Sequence, residues 1–179
     1  DQGIGLASVR AGNVIGGGDW ADDRLIPDIL RSFEEGKPVV IRNPKSTRPW
    51  QHVLEPLSGY LILAQKLYKD QKKYAEGWNF GPNEKDVKPV DWILDKMILK
   101  WPDASWKLDQ NSSPHEAGFL KLDISKAESR LGWKPVWELS YTLEKIIAWH
   151  KAWLNKEDMQ ATCLTEIEEY MKDMNNENH

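Results

Sequence analysis

The sequence predicts an α/β fold with an incomplete parallel sheet and a smaller, mostly helical lobe. Short β-prone runs are too few and too scattered for a complete sheet, and they lie at residues 4–10, 38–41, 76–80 and 105–108. Helical patterns separate them, at about residues 25–35, 55–70, 89–101, 125–131 and 140–154. Strands that alternate with helices in this way are typical of parallel sheets.

Glycine and proline residues set the limits of these elements. Gly36 ends the first helix, and Pro89 occupies the first turn of the third, where its missing N–H costs nothing. Residues 125–128 have the Ser-x-x-Glu spacing of a capping box, and Gly132 ends the helix that they begin. Glycines and prolines also predict two loops, at residues 12–18 and 43–49. The tail keeps a helical apolar stripe through Leu164, Ile167 and Met171.

The composition indicates an ordinary folded domain. The chain has 179 residues, 40% of them hydrophobic, and a formal net charge of −4. This mild charge does not favour nucleic-acid binding, and no apolar run approaches the roughly 20 residues of a membrane span. The first residues show no signal-peptide pattern. The single cysteine, Cys163, excludes an internal disulfide, favours a reducing cytosol and is expected to pack as a small apolar residue on a helix.

The start of the sequence is unusual. The chain begins with Asp1 and enters a β-prone run within a few residues, with no methionine and no helix before it. We therefore expect this chain to be part of a longer protein. Ten tryptophans are a second unusual feature.

Several familiar patterns have simpler explanations. Tyr68 and Lys72 match the Tyr-x-x-x-Lys spacing of short-chain dehydrogenases, but they lie at the charged end of a helix, which favours a solvated surface. The glycines at 16–18 lack the Gly-x-Gly-x-x-Gly pattern and lead into an acidic stretch that would repel a pyrophosphate. Trp149 and Trp153, one helical turn apart, favour core packing over a sugar platform. The four histidines show no metal-ligand spacing, so no metal site is predicted: His52, His115, His150 and His179.

Four stretches together carry more information than any one of them. They are RAGNVIG at residues 10–16, RLIP at 24–27, RPWQHV at 48–53, and DISKA at 123–127 followed by LGW at 131–133. In this order and spacing they resemble the C-terminal half of extended short-chain dehydrogenases/reductases that act on nucleotide sugars. Longer matches, including EGWNFGP at 76–82, resemble the 4,6-dehydratases of CDP-glucose within that family. The resemblance covers residues 5 to about 153, and it implies a Rossmann-type sheet with NAD as cofactor.

The resemblance implies roles for eleven residues. Ala11 and Gly12 correspond to positions whose backbone lies against the nicotinamide. The nucleotide-sugar positions are Asn13 (sugar and diphosphate), Arg24 and Leu25 (nucleotide), Val39 and Ile41 (the strand flanking the base), Arg48 (diphosphate), Asn79 (near the phosphates), and Glu116 with its neighbour His115 (ribose). Many relatives carry a second phosphate arginine three residues before the ribose acid; here Ser113 stands there, and Arg24 is expected to meet that charge.

Elementary chemistry agrees with part of this assignment. A diphosphate requires a forked, permanently charged donor, and Arg48 lies in a proline-bounded loop that could hold one still. A carboxylate such as Glu116 can accept hydrogen bonds from two ribose hydroxyls. Taken singly, these residues have simpler explanations: a surface ion pair for Arg48, a turn residue for Asn13 and a solvated loop acid for Glu116. Only the joint pattern favours a binding site.

The resemblance implies that the catalytic residues lie outside this chain. In such dehydratases NAD removes a hydride from C4 of the sugar, an acid/base pair eliminates water across C5 and C6, and the hydride returns to C6. The cofactor loop and the catalytic residues lie upstream in this family, so no catalytic residue is predicted in this chain. We expect residues 1–155 to hold the remaining sheet strands and the substrate lobe, and residues 156–179 to form a helical tail. The intact enzyme is expected to be a cytoplasmic homo-oligomer.

Two other functions remain open at this stage. A different sugar-nucleotide enzyme, such as an epimerase, could share the scaffold, and a preference for uridine or guanosine would favour it. A stand-alone carbohydrate- or nucleotide-binding module built on the tryptophans would need its aromatic side chains clustered on one exposed face.

Overall fold

The structure, a computed structural model, describes residues 4–109 and 118–176. Within these ranges seven strands are interspersed with helices, and the sequence predicts four of these strands, near residues 4–10, 38–41, 76–80 and 105–108. The strands are β1 (Ser8–Ala11), β2 (Asn13–Ile15), β3 (Val39–Ile41), β4 (Thr47–His52), β5 (Gly77–Phe80), β6 (Val87–Pro89) and β7 (Trp106–Leu108). The helices are α1 (Leu25–Glu34), α2 (Leu54–Lys69), α3 (Gln71–Tyr74), α4 (Val90–Ile98), α5 (Ser125–Leu131), α6 (Leu139–Leu154) and α7 (Met159–Asn176), with a 3₁₀ turn at Glu84–Asp86.

The strands form three small sheets. β1 pairs in parallel with β5, and β3 pairs in parallel with β7. β4 lies between β2, which is parallel to it, and β6, which is antiparallel. Among the described residues no sheet exceeds three strands. The predicted α/β class with an incomplete parallel sheet is therefore confirmed.

Three predicted boundaries are wrong, and each error has a physical reason. β1 begins at Ser8 rather than residue 4. The predicted glycine loop contains the strand Asn13–Ile15, and the predicted loop at 43–49 ends inside β4. Proline concealed β4, because Pro49 cannot donate to a ladder. β6 pairs with the first half of β4 and β2 with the second, so the missing N–H interrupts no continuous ladder.

The helix ends lie close to their predicted positions, but the residues and hydrogen bonds found there differ from the prediction. Pro89 ends β6 and immediately precedes α4, so it does not lie in the first helical turn. The capping box before α5 is wrong: Ile124 precedes the helix without a side-chain cap, and the Asp123 carboxylate accepts the Ser125 N–H at 2.9 Å instead. Gly132 does end α5, at φ +71°, a left-handed conformation that favours glycine.

The core has two parts. The larger one packs α1, α4 and α6 against β3, with Ile29, Ile93 and Ile146 fully buried. The smaller one surrounds Trp78 and Phe80 of β5 with residues of α2 and α5. Apolar side chains outside these clusters remain exposed, notably Ile4, Leu6 and Leu61.

A buried carboxylate fastens the C-terminal helix to this core. Glu55, in the first turn of α2, has no exposed surface. Its two oxygens accept the backbone N–H of Val136 at 3.0 Å, the N–H of Trp137 at 2.7 Å and the hydroxyl of Tyr170 on α7 at 2.8 Å. Burial raises the pKa of Glu55 because it disfavours the charged form, and these three hydrogen bonds act in the opposite direction.

We expect Glu55→Ala to lower the free energy of unfolding by about 3 kcal/mol or more, because it leaves buried donors without an acceptor. Tyr170→Phe removes one hydroxyl donor and should cost about 1 kcal/mol. Urea denaturation followed by circular dichroism measures both. If Glu55→Ala costs no more than Tyr170→Phe, Glu55 does not hold this junction together.

The raised pKa of Glu55 also gives a pH dependence with a definite sign. For an acid whose pKa is higher in the folded state, the stabilising contribution is present below its ordinary pKa and is lost as the pH rises through the folded pKa. Glu55→Gln cannot ionise, so its stability deficit relative to the unsubstituted chain should shrink as the pH rises from about 4 to 7. A deficit that grows over this range would contradict the raised pKa.

Candidate functional site

A cavity of about 1190 Å³ lies where β2, β3, the start of β4 and the segment before α1 meet. It is somewhat larger than the roughly 300–1,000 Å³ of most small-molecule sites, as an extended ligand would require. Seven of the eleven predicted site residues line it: Gly12, Asn13, Arg24, Leu25, Val39, Ile41 and Arg48. They come from four separate stretches of the sequence, so the fold brings together what the motifs left scattered.

The start of β4 supplies one of the three arginines that line the cavity. Ser46, Arg48 and Trp50 all line the cavity, as expected for alternate residues that share one face of a strand. Arg48 is half-buried, and one of its guanidinium nitrogens donates to the carbonyl of Thr47 at 3.1 Å. The N–H of Thr47 donates to the carbonyl of Gly118 at 2.9 Å, which fixes the backbone beside Arg48.

Gly12 lies at the junction between two sheets. Its N–H donates to the carbonyl of Phe80 at 3.1 Å, and the next residue, Asn13, pairs with Trp50 of β4. A Cβ atom at Gly12 would overlap the carbonyl oxygen of Pro49, so only glycine fits this crossing. Close backbone approach therefore explains this glycine without any ligand.

Two predicted residues lie beside the cavity rather than on its wall. Ala11 ends β1 and pairs with Phe80, and Asn79 pairs with Arg10 in the same parallel ladder. The Asn79 side-chain amide donates to the carbonyl of Asp123 at 3.1 Å. In this structure Asn79 therefore secures the loop before α5.

The beginning of α1 supplies a second source of positive potential. Arg24 immediately precedes the helix and is exposed, and Leu25 is its first residue. Unpaired N–H groups and the helix dipole make such a terminus favourable for anions. Three acidic side chains also line this part of the cavity: Asp19, Asp23 and Asp28. The Asp28 carboxylate is engaged by Arg31, and the Asp19 carboxylate accepts the N–H of Ala21 at 3.0 Å.

The strand β3 forms the wall opposite β2. Val39 and Ile41 are buried in the larger core cluster, with exposed fractions of 2% and 7%, whereas Val40 between them is 54% exposed. All three line the cavity. A flat ring lying against β3 would therefore meet its backbone and Val40 more readily than the two predicted side chains.

Sequence reasoning missed several lining residues. Arg42, Asn43, Ser46 and Trp50 border the cavity, and the first two follow β3 directly. For Arg42 and Asn43, the only signal in the sequence was their position directly after a short β-prone run, because residues at the carboxyl ends of strands commonly bind ligands. Three of the residues discussed above lie outside the described residues: Ser113, His115 and Glu116.

Other patterns in the sequence agree only in part with the explanations expected for them. Tyr68 is 90% exposed at the end of α2, as predicted for a solvated helix end. Trp149 is 8% exposed and packs in the interior, but Trp153 is 39% exposed. Cys163 lies on α7 and is exposed, so the expectation of packing is wrong, although its sulfur accepts the Trp149 ring N–H at 3.2 Å.

Within residues 4–109 and 118–176, no group of three or more histidine, cysteine, aspartate or glutamate side chains could hold a metal ion. In the same ranges no helix has both the length and the apolar character that crossing a membrane requires.

The aromatic side chains do not form one exposed face. Trp50, Trp78, Trp133, Trp137 and Trp149 are buried. Trp20, at 47% exposure, lies 4.5 Å from Trp153 between ring centroids, and this pair is the most exposed contact between tryptophans among the described residues. A carbohydrate-binding module built on a broad aromatic surface is therefore disfavoured.

Comparison with known proteins supports the motif analysis. The chain is 63% identical over 171 residues to CDP-glucose 4,6-dehydratase of Salmonella typhimurium, which is 95% of this chain and 48% of that protein. The chain therefore spans about half the length of the curated relative that it matches. No family model matches it. The resemblance inferred from the four stretches is confirmed.

Solved structures share the fold at lower identity. UDP-glucuronic acid 4-epimerase from Bacillus cereus, solved with UDP-glucuronic acid and NAD, has a TM-score of 0.64 at 24% identity, covering 80% of this chain and 44% of the epimerase. dTDP-glucose 4,6-dehydratase from Bacillus anthracis, solved with NAD, has a TM-score of 0.65 at 20% identity, covering 81% of this chain and 44% of that chain. These similarities confirm that the chain has part of a Rossmann-type fold.

Proposed function

We propose that this chain is the substrate-binding part of a nucleotide-sugar 4,6-dehydratase that acts on CDP-glucose with NAD as internal hydride carrier. The observation that carries the proposal is the convergence of seven motif residues on one cavity, in a chain 63% identical to a CDP-glucose 4,6-dehydratase. The chain corresponds in this proposal to the C-terminal half of the enzyme. The general acid and base come from the other half.

The chain's own residues hold the substrate. The Arg48 guanidinium grips the diphosphate, since its planar fork matches two phosphate oxygens at once. Arg24, at the start of α1, contributes a second positive charge on the nucleotide side. Asn13, on the neighbouring strand β2, supplies an amide for the sugar and diphosphate. The base lies along β3, between the segment before α1 and Arg42.

The end of β1 suits the cofactor sterically. Ala11 and Gly12 carry no side chain larger than a methyl group, and they lie at the carboxyl end of the parallel pair β1 and β5, where α/β sheets bind ligands. NAD, when bound, accepts and returns the hydride. Ala11 and Gly12 would present only backbone to the nicotinamide and so allow it to approach closely.

The division of the chain follows from the same assignment. Residues 1–155 provide the sheet strands and the nucleotide-sugar pocket, and residues 156–179 form a helical tail. The tail is tied to the pocket-bearing part through Tyr170 and Glu55, whose oxygens lie 2.8 Å apart. The complete enzyme is a cytoplasmic homo-oligomer in this proposal.

Nucleotide preference separates this proposal from an epimerase. Isothermal titration of the full chain with CDP-glucose, UDP-glucose and GDP-glucose should give the tightest binding for CDP-glucose. Equal or tighter binding of UDP-glucose would favour an epimerase. Binding of free glucose at the same level as CDP-glucose would instead favour a carbohydrate-binding module.

A further inference from the structure

The segment between β2 and α1, residues 16–24, forms part of the cavity wall. Asp19, Ala21, Asp23 and Arg24 all line the cavity from this segment. Asp23 has a positive φ of 56°, which is uncommon for a residue other than glycine. A conformation of this kind persists only where surrounding contacts determine it. The contacts that hold this wall segment therefore bear on the shape of the pocket.

Aromatic side chains of α6 hold the wall segment from outside the cavity. Gly17 lies so close to the Trp149 ring that a Cβ atom would overlap it. Gly18, at φ +76°, also lies against that ring. Two residues after Gly18, the Trp20 ring lies 4.5 Å from Trp153, 5.7 Å from His150 and 6.3 Å from Trp149 between centroids. We name Trp20, Trp149 and Trp153 the aromatic clamp.

Contacts with α7 and α1 hold the α6 side of the aromatic clamp in place. Trp149 is 8% exposed, and its ring N–H donates to the Cys163 sulfur on α7 at 3.2 Å. His150 Nε2 lies 2.6 Å from the Glu34 carboxylate, which joins α6 to the end of α1. The wall segment is thus held between two helices that the core already positions.

Arg31 of α1 holds the same segment from its other side. Its guanidinium donates to the carbonyl of Trp20 at 3.3 Å and to that of Ala21 at 3.4 Å. It also pairs with the Asp28 carboxylate and lies 3.5 Å from that of Asp22. The backbone on which Asp19 and Asp23 reach the cavity is therefore constrained at Trp20 and at Ala21.

We infer that the aromatic clamp positions residues 16–24 as a preassembled wall of the nucleotide pocket, so that Trp20 acts as a positioning residue for nucleotide-sugar binding. A wall that is already ordered spares the ligand the entropic cost of ordering it on binding. None of the clamp rings needs to touch the ligand. This inference rests on the proposed function of the cavity.

Trp20→Ala tests the inference in the full chain, because Trp20 is half-exposed and its loss should leave the fold intact. We expect amide hydrogen exchange in residues 16–24 to become faster and the Kd for CDP-glucose to rise about tenfold, which is about 1.4 kcal/mol. Trp20→Phe keeps an aromatic ring and should restore most of both. Tyr68→Ala is the control for loss of an aromatic ring, since Tyr68 is 90% exposed at the end of α2 and is not among the residues that line the cavity.

The possible outcomes separate this inference from the proposed function. Unchanged exchange or unchanged affinity in Trp20→Ala overturns the positioning role and leaves the proposed function intact. An equal loss of affinity in Tyr68→Ala overturns it as well, because the effect would then be general. If the unsubstituted chain does not bind CDP-glucose, the proposed function fails together with the role in binding, while the exchange data still report on the clamp itself.

Discussion

The full chain alone should convert no CDP-glucose to the 4-keto-6-deoxy product, even with saturating NAD. Its sequence contains no Gly-x-Gly-x-x-Gly loop that could hold the cofactor pyrophosphate at a helix start. Its Tyr-x-x-x-Lys pattern is divided between Tyr68, at the exposed end of α2, and Lys72, on α3. Enzymes typically accelerate their reactions by about 10⁶-fold or more. The expected difference in reaction rate between this chain and a complete enzyme is therefore the largest effect predicted here.

On the proposed function, joining this chain to the part of the relative that it does not match should give an active enzyme. A hybrid would place this chain behind the portion of the Salmonella relative that it does not match, which is about half of that protein. At 63% identity the junction should be compatible with both parts. The activity of the hybrid is measured as the formation of the 4-keto sugar, which is quantified by its absorbance in alkali. Turnover by this chain alone would overturn the division of roles between the two parts.

Arg48→Ala should weaken CDP-glucose binding by about tenfold to a hundredfold. A hydrogen bond to a charged group contributes about 1.5–3 kcal/mol, and a bidentate contact between two ions lies at the upper end of that range. Arg48→Lys keeps the charge but loses the planar fork, so it should recover only part of the loss. Titration calorimetry gives the three affinities, and circular dichroism verifies that each variant is folded.

A matched arginine separates a site effect from a general effect of charge. Arg130 lies on α5 outside the residues that line the cavity, and it pairs with the Glu76 carboxylate at 2.9 Å. Arg130→Ala removes the same charge and should leave the Kd within about twofold. The assignment of Arg48 to the diphosphate is wrong if Arg48→Ala binds CDP-glucose as tightly as the unsubstituted chain. It is also wrong if Arg130→Ala loses as much affinity as Arg48→Ala.

Residues that line the cavity could be named from the sequence only where a motif or the resemblance contains them. Val39 lies in a predicted β-prone run, whereas Asn13 and Arg48 lie in stretches predicted as loops and were named through the resemblance. Arg42 and Asn43 directly follow β3 and were missed because no motif contains them. The order of the motifs was enough to predict one shared pocket, but not its volume or its full lining.

Other features depend on contacts between distant residues and could not be predicted from sequence. Glu55 has the pattern of an acidic residue in the first turn of a solvated helix, yet it is fully buried because donors near residue 137 and at Tyr170 reach it. Trp20 lies in a glycine-rich loop, and nothing local indicates that Trp153, 133 positions later, lies 4.5 Å away. Pro49 concealed β4 because a proline within a strand is usually a sign of a loop.

The measurement that tests the central claim most directly is a map of where CDP-glucose binds on this chain. Amide and side-chain NMR signals of the labelled full chain are followed during titration with CDP-glucose. The account predicts that shifts concentrate on Gly12, Asn13, Leu25, Val40 and the Arg48 guanidinium, and that CDP competes while glucose does not. Shifts confined to the exposed surface around Trp20 and Trp153, with Arg48 unaffected, would contradict the assignment of the cavity as the nucleotide-sugar pocket.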